Sequence, residues 1–121
     1  EGWDFESIGF RGCKYVIENE LLPTNTVLCS NDRLAIGFLS AAYEMGLRVG
    51  NSRGCDLRVA GHDNHPYSRY TCPTLTTISQ DYGAIARTSA EALIGLIESD
   101  SPNEARKVTL FDGNLLMRGS A

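Results

Sequence analysis

One stretch, Thr26 to Gly46 (TVLCSNDRLAIGFLSAAYEMG), constrains the fold more than any other. It opens with a short apolar run, Val27 to Cys29, of the kind expected of a parallel strand buried on both faces. Ser30, Asn31 and Asp32 then offer helix caps, and Arg33 to Met45 are good helix formers without proline, closed by Gly46 at the C′ position. The order is strand, tight polar turn, helix. In open α/β sheets the ligand crevice lies beyond the carboxyl ends of the strands, which is where Asn31 and Asp32 would stand.

The helix carries a second constraint. Its polar residues Arg33, Ser40 and Glu44 form one narrow strip. Leu34, Ala35, Ile36, Phe38, Leu39, Ala41, Ala42 and Met45 cover a wider arc than one sheet can bury, so a second protein surface is expected on part of it.

The same grammar recurs along the chain. Asp4 can cap a first helix whose apolar positions Phe5, Ile8, Gly9, Gly12, Cys13, Val16 and Ile17 recur at three and four residues. Gly50 to Gly54 is a polar loop by composition. A strand at Leu57 to Gly61 ends in the polar cluster His62, Asp63, Asn64, His65, and Tyr67 to Tyr70 can form one helical turn. A weaker strand, Leu75 to Ile78, is followed by Gln80 and Asp81. Next comes a helix with Tyr82, Ile85, Ala86, Ser89, Leu93 and Ile97 on one face. After a loop at Asp100 to Asn103, two short strands are expected at Val108 to Phe111 and Asn114 to Met117. Strands alternating with helices indicate an α/β fold, a parallel-sheet three-layer sandwich with helices on both faces.

At 121 residues the chain can hold one modest core, and 42% hydrophobic with 21% charged residues describes an ordinary globular domain. No apolar run reaches the ~20 residues needed to span a bilayer, so no membrane partner is expected. The net charge of −4 and the scattered basic residues are a poor footprint for nucleic acid, which excludes DNA binding by this stretch itself. Cys13, Cys29, Cys55 and Cys72 are widely spaced without a CxxC pair, which fits free thiols in a reducing compartment.

If the strands run parallel, Trp3, Asn31 with Asp32, Asp63 with Asn64, and Gln80 converge on one sheet edge. An aromatic face ringed by carboxylate and amide groups suits a small polyhydroxylated or heterocyclic ligand, stacking on its apolar face and hydrogen bonding its edges. Each has a plainer use: a helix cap for Asn31 or Asp32, a core aromatic for Trp3, a solvated turn for Gln80. His62, Asp63, His65 and Cys72 lie close in sequence but lack a second ligand pair at a recognised metal spacing, so neither metal nor cofactor is expected. Without a GxSxG elbow, a flanked catalytic cysteine or a glycine-rich phosphate loop, an enzyme is not expected either.

SNDRLAIGFLSAAYEMGLRV, VAGHDN, CPTLTTISQD with the helix that follows, and LLMRGSA, in this order, resemble the effector-binding domain of the LacI/GalR family of transcriptional regulators. The resemblance runs through nearly the whole chain. It implies a periplasmic-binding-protein-like fold of two α/β subdomains closing on a ligand, with residues 1–121 as the C-terminal subdomain; the DNA-binding head and most of the N-terminal subdomain are absent from this sequence. It implies effector contacts for Trp3 by stacking and for Asn31 and Asp63 by hydrogen bonds to sugar hydroxyls, with Gln80 near the pocket. It puts Ile36 and Tyr70 in a dimer interface. The partners it implies are a small effector, a sugar, a second copy of the chain in a cytoplasmic homodimer, and operator DNA bound through a region outside this sequence. Two departures stand out: the loop from Gly50 to Asp56 is longer and lacks the common proline, and His62 replaces a phenyl or phenol ring. A periplasmic sugar-binding protein of a transporter is the competing function, since the folds are cousins.

Overall fold

The structure, a computed structural model, describes residues 3–98 and 108–121. The loop expected at Asp100 to Asn103 lies outside the described residues. The chain divides into two compact units, one running to Ser79 and resuming at Asn114–Ala121, the other Gln80–Gly113.

The first unit is built from helix α1 (Phe5–Glu18), strand β1 (Thr26–Leu28), helix α2 (Asp32–Glu44), strand β2 (Arg58–Ala60), a 3-10 turn at Pro66–Arg69, strand β3 (Thr77–Ser79) and strand β4 (Asn114–Leu116). β1 and β2 pair in parallel with Val27 opposite Val59. A parallel bridge from Ala60 to Thr76 carries the sheet on toward β3, and β4 closes it antiparallel with Ile78 opposite Leu115. The fold is α/β with a parallel centre. β4, preceded by Asp112 and Gly113, returns antiparallel beside β3.

Local chemistry sets the helix ends. Asp4 caps α1 by accepting from the Ser7 N–H at 3.1 Å, and Asn31 caps α2 by accepting from Leu34 at 2.9 Å. At the far end of α2, Gly46 adopts φ +73°, and the Gly46 and Leu47 N–H groups donate to Tyr43 and Ala42 in a Schellman closure.

α1 and α2 meet backbone to backbone. A Cβ at Gly9 would land on the Leu34 carbonyl oxygen, and one at Gly37 on that of Glu6, so only glycine permits the crossing. Cys13, Ala35, Phe38, Leu39, Ala42, Leu57, Val59 and Leu75 form the core beneath it. α1 thereby covers part of the apolar arc of α2 for which a second protein surface is expected. Ile36 stays half-buried and Tyr43 exposed.

Two expectations are corrected. β1 is not buried on both faces: Leu28 is 71% exposed, because within this unit the sheet is covered on the side that Val27 faces. Val108 to Phe111 forms no strand and its side chains are exposed. The second unit holds helix α3 (Tyr82–Glu98), started by Asp81, whose Oδ1 accepts from the Ala84 N–H at 2.9 Å, and none of its residues is buried within the chain.

Candidate functional site: the edge beyond the strands

The turns after β1 and β2 form one edge of the first unit. The Asp32 N–H donates to the His62 carbonyl at 2.8 Å, which sets the start of α2 directly against the turn that follows β2. Asn31 and the His62–Asn64 turn are thus neighbours, as expected of residues at successive strand ends.

Trp3 reaches the same end of the helix pair through a chain of rings and charges. It is 83% exposed and meets Phe5 edge-on at 5.7 Å between centroids. The Arg33 guanidinium lies 5.4 Å over the Phe5 ring and forks onto the Glu6 carboxylate with two bonds of 2.6 Å. Those hydrogen bonds from Arg33 hold the Glu6 carboxyl below its ordinary range. Trp3 is therefore no core aromatic: it offers a free ring face at the start of α1.

Asp63 stands in a strained turn. Its φ is +107° and that of Asn64 is +50°, conformations that cost a non-glycine residue of order ~1–3 kcal/mol in the worse case, with asparagine the more tolerant of the two. Backbone bonds offset this: Asp63 N–H donates to the Ile78 carbonyl at 2.9 Å and Asn64 N–H to the Thr77 hydroxyl at 3.2 Å. The Asp63 side chain is 43% exposed and its Oδ1 lies 2.9 Å from His62 Nδ1. The departure at His62 thus puts an imidazole on the carboxylate. His65, through Nδ1 accepting from Tyr67 N–H at 3.2 Å, caps the following 3-10 turn.

Two residues matter here in ways the sequence did not signal. Asp32, expected to face the crevice with Asn31, is buried at 0% exposure, its Oδ2 accepting from the His65 N–H at 2.7 Å and its Oδ1 from the Thr77 hydroxyl at 2.6 Å. Arg118 donates from Nη2 to the Asn64 side-chain oxygen at 2.7 Å, and from Nη1 to Ser68 Oγ and the Leu75 carbonyl at 2.8 Å each. Acid type alone could not separate Asp32 from a surface cap; only Gly61, where a Cβ would fall on Asp32 Oδ1, hints at the close seat.

Gln80 begins the second unit. Tyr70 is 82% exposed and, with Asn64, Pro66 and Arg69, lines an open hollow of about 280 Å³. Among the described residues no group of three or more His, Cys, Asp or Glu side chains is placed to hold a metal ion, and no helix is long and apolar enough to cross a membrane. All four cysteines are free, and burial pushes the Cys13 and Cys29 thiols up to about 11, which leaves them unreactive.

Residues 5–121 match the periplasmic binding protein-like domain family. The chain is 38% identical over 102 residues to the HTH-type transcriptional repressor PurR of Escherichia fergusonii, covering 80% of this chain and 28% of that one. It is 34% identical over 93 residues to the lactose operon repressor of Escherichia coli K12, covering 77% and 24%. A crystal structure of the Lac repressor dimer bound to operator and the anti-inducer ONPF superposes with a TM-score of 0.78 at 30% identity, over 94% of this chain and 37% of that one. The chain thus spans about a quarter of the length of these curated relatives. Their names are those of repressors. By these matches the chain belongs to the periplasmic binding protein-like domain family, in its LacI/GalR regulator branch.

Proposed function

We propose that residues 1–121 form the C-terminal subdomain of the ligand-sensing domain of a LacI/GalR-type transcriptional regulator. A small effector, a sugar, binds at the edge described above and modulates operator DNA binding by a cytoplasmic homodimer, through a DNA-binding region outside this sequence. The observation that carries this reading is the Asp63 carboxylate: half-exposed, held in a left-handed turn at the end of β2, beside Asn31. Two carboxylate oxygens can accept from adjacent hydroxyls of one ring, and charged acceptors bind more strongly than neutral ones. Trp3 supplies a stacking face and Asn31 keeps its amide N–H₂ for the effector while its oxygen caps α2; for Gln80 an effector role is proposed on the family resemblance alone. Ile36 and exposed Tyr70 take part in the dimer contact. The module binds and does not catalyse; no metal or cofactor enters the reading.

Binding changes the closure of the two subdomains, and with it the spacing of the DNA-binding heads. Asp63→Asn in the full-length protein keeps shape and replaces an acceptor with a donor, so calorimetric affinity should fall roughly ten- to a hundredfold, ~1.4 to 2.8 kcal/mol. The titrants are D-ribose, D-xylose, D-glucose, D-galactose, xylitol and hypoxanthine, one at a time. Unchanged affinity for the tightest of them in Asp63→Asn, alongside a lowered melting point, would assign Asp63 to the fold alone.

A further inference from the structure

We infer that Asp32 is a positioning residue for the effector site: it acts on binding through the turn that aims Asp63, without touching the effector. The inference rests on the reading of Asp63 given above. Asp32 clamps both flanks of the strained pair. Its N–H donates to His62, just before Asp63, and its Oδ2 accepts from the N–H of His65, just after Asn64. Its Oδ1 accepts from the Thr77 hydroxyl, and the oxygen of that hydroxyl accepts in turn from the Asn64 N–H. Three of the four residues His62 to His65 are therefore tied, directly or through one hydroxyl, to a single side chain and its own amide.

An aspartate in the first turn of a helix is ordinarily a solvated group that favours the helix dipole. This one is turned inward and fully buried, with both oxygens taken up by partners 33 and 45 residues away in sequence. Asp63 and Asn64 have positive φ, so the turn does not keep its shape by local preference. The clamp, together with the Asp63 N–H bond to the Ile78 carbonyl and the Arg118 bond to Asn64, holds its shape and so bears on the direction of the Asp63 carboxylate. Gly61 completes the seat, since any Cβ there would displace Asp32 Oδ1.

Asp32→Asn preserves volume and the cap, keeps one acceptor, and presents an amide N–H₂ to one of the two donors. The test titrates the full-length wild type, Asp32→Asn, Asp63→Asn and the double variant with the tightest-binding member of the six-compound panel, and follows amide hydrogen exchange of residues 61–65 without any compound. Asp32→Asn is expected to weaken binding about tenfold, the double variant to bind no more weakly than Asp63→Asn, and exchange at 61–65 to quicken while α1 keeps its protection. Losses that add in the double variant, or exchange at 61–65 that does not change, would overturn the positioning role. So would a normal loss in Asp63→Asn with none in Asp32→Asn. Wild-type affinity in Asp63→Asn overturns the site reading itself, a result separable from the others. Where Asp32→Asn does not fold, Gly61→Ala perturbs the same clamp and carries the same expectations.

Discussion

The two units of the chain treat the same kind of sequence in opposite ways. In the first, α1 and α2 bury Cys13, Ala35, Phe38, Leu39, Ala41 and Ala42 against β2, and every buried hydrophobic of the described residues belongs to this unit. In the second, α3 is longer and also carries apolar residues at helical spacing, yet Leu93, Ile94, Leu96 and Ile97 all stand more than half exposed. Helical periodicity therefore marks a face that needs burying and says nothing about where its cover comes from. A stable domain needs packed layers around one core, and within Gln80–Gly113 the described residues supply one helix and an extended segment.

The sharpest way to break this contrast is a matched pair of truncations in the 121-residue chain. Leu75→Ala, at a position with no exposure, should cost ~2–5 kcal/mol in chemical denaturation. Leu93→Ala in α3 should stay within ~0.5 kcal/mol. An equal loss at Leu93 would mean that α3 is covered after all.

Glycine substitutions sharpen it next. Gly37→Ala drives a methyl into the Glu6 carbonyl and should destabilise by the upper end of ~1–3 kcal/mol, because backbone on both sides must separate. Gly95→Ala meets nothing within 4 Å and should instead raise helix stability by ~0.5–1 kcal/mol, visible as a higher melting temperature or helical ellipticity. Opposite signs are the expected result.

The smallest effect concerns Glu6 and Arg33 across the α1–α2 crossing. Arg33 holds the folded-state Glu6 carboxyl below its ordinary 4.5, so its contribution is present above that value and is lost as pH falls through the lower folded-state one. Both side chains are 40% exposed, so solvent weakens the pair. Glu6→Gln should lower stability slightly near neutrality and converge on the wild type as Glu6 becomes protonated, flattening the acid side of the profile, when midpoints are compared between pH 3 and 7.

Much of the first unit was legible because its signals are local. Asp4, Asn31 and Gly46 bound their helices as residue type and spacing indicate, and the strand–turn–helix order of Thr26 to Gly46 is the one observed. What sequence concealed depends on partners far along the chain. Asp32 reads as a surface cap until Thr77 is seen beside it, and Arg118 reads as a tail residue until Asn64, Ser68 and Leu75 are seen around its guanidinium. The exposure of Leu28 was hidden for the same reason: pleat and pattern do not say which neighbour is present. At the candidate edge, the turns that bring Asn31 and Asp63 together were foreseen, whereas the clamp behind them was not.

The segment after β4 has a kinetic consequence. Ser120 is buried, donates to the Val59 carbonyl at 2.6 Å and accepts the Thr76 N–H at 2.8 Å, contacts spanning 61 and 44 residues of sequence. Contacts of such high order form late, because loop closure must be met before they contribute. The α1–α2 crossing closes a shorter loop and can form without them. Until Ser120 arrives, the inner edge of β2 has open hydrogen-bonding groups, a template for pairing with another chain. Ser120 thus closes an edge of β2 that would otherwise stand open to pairing with another chain.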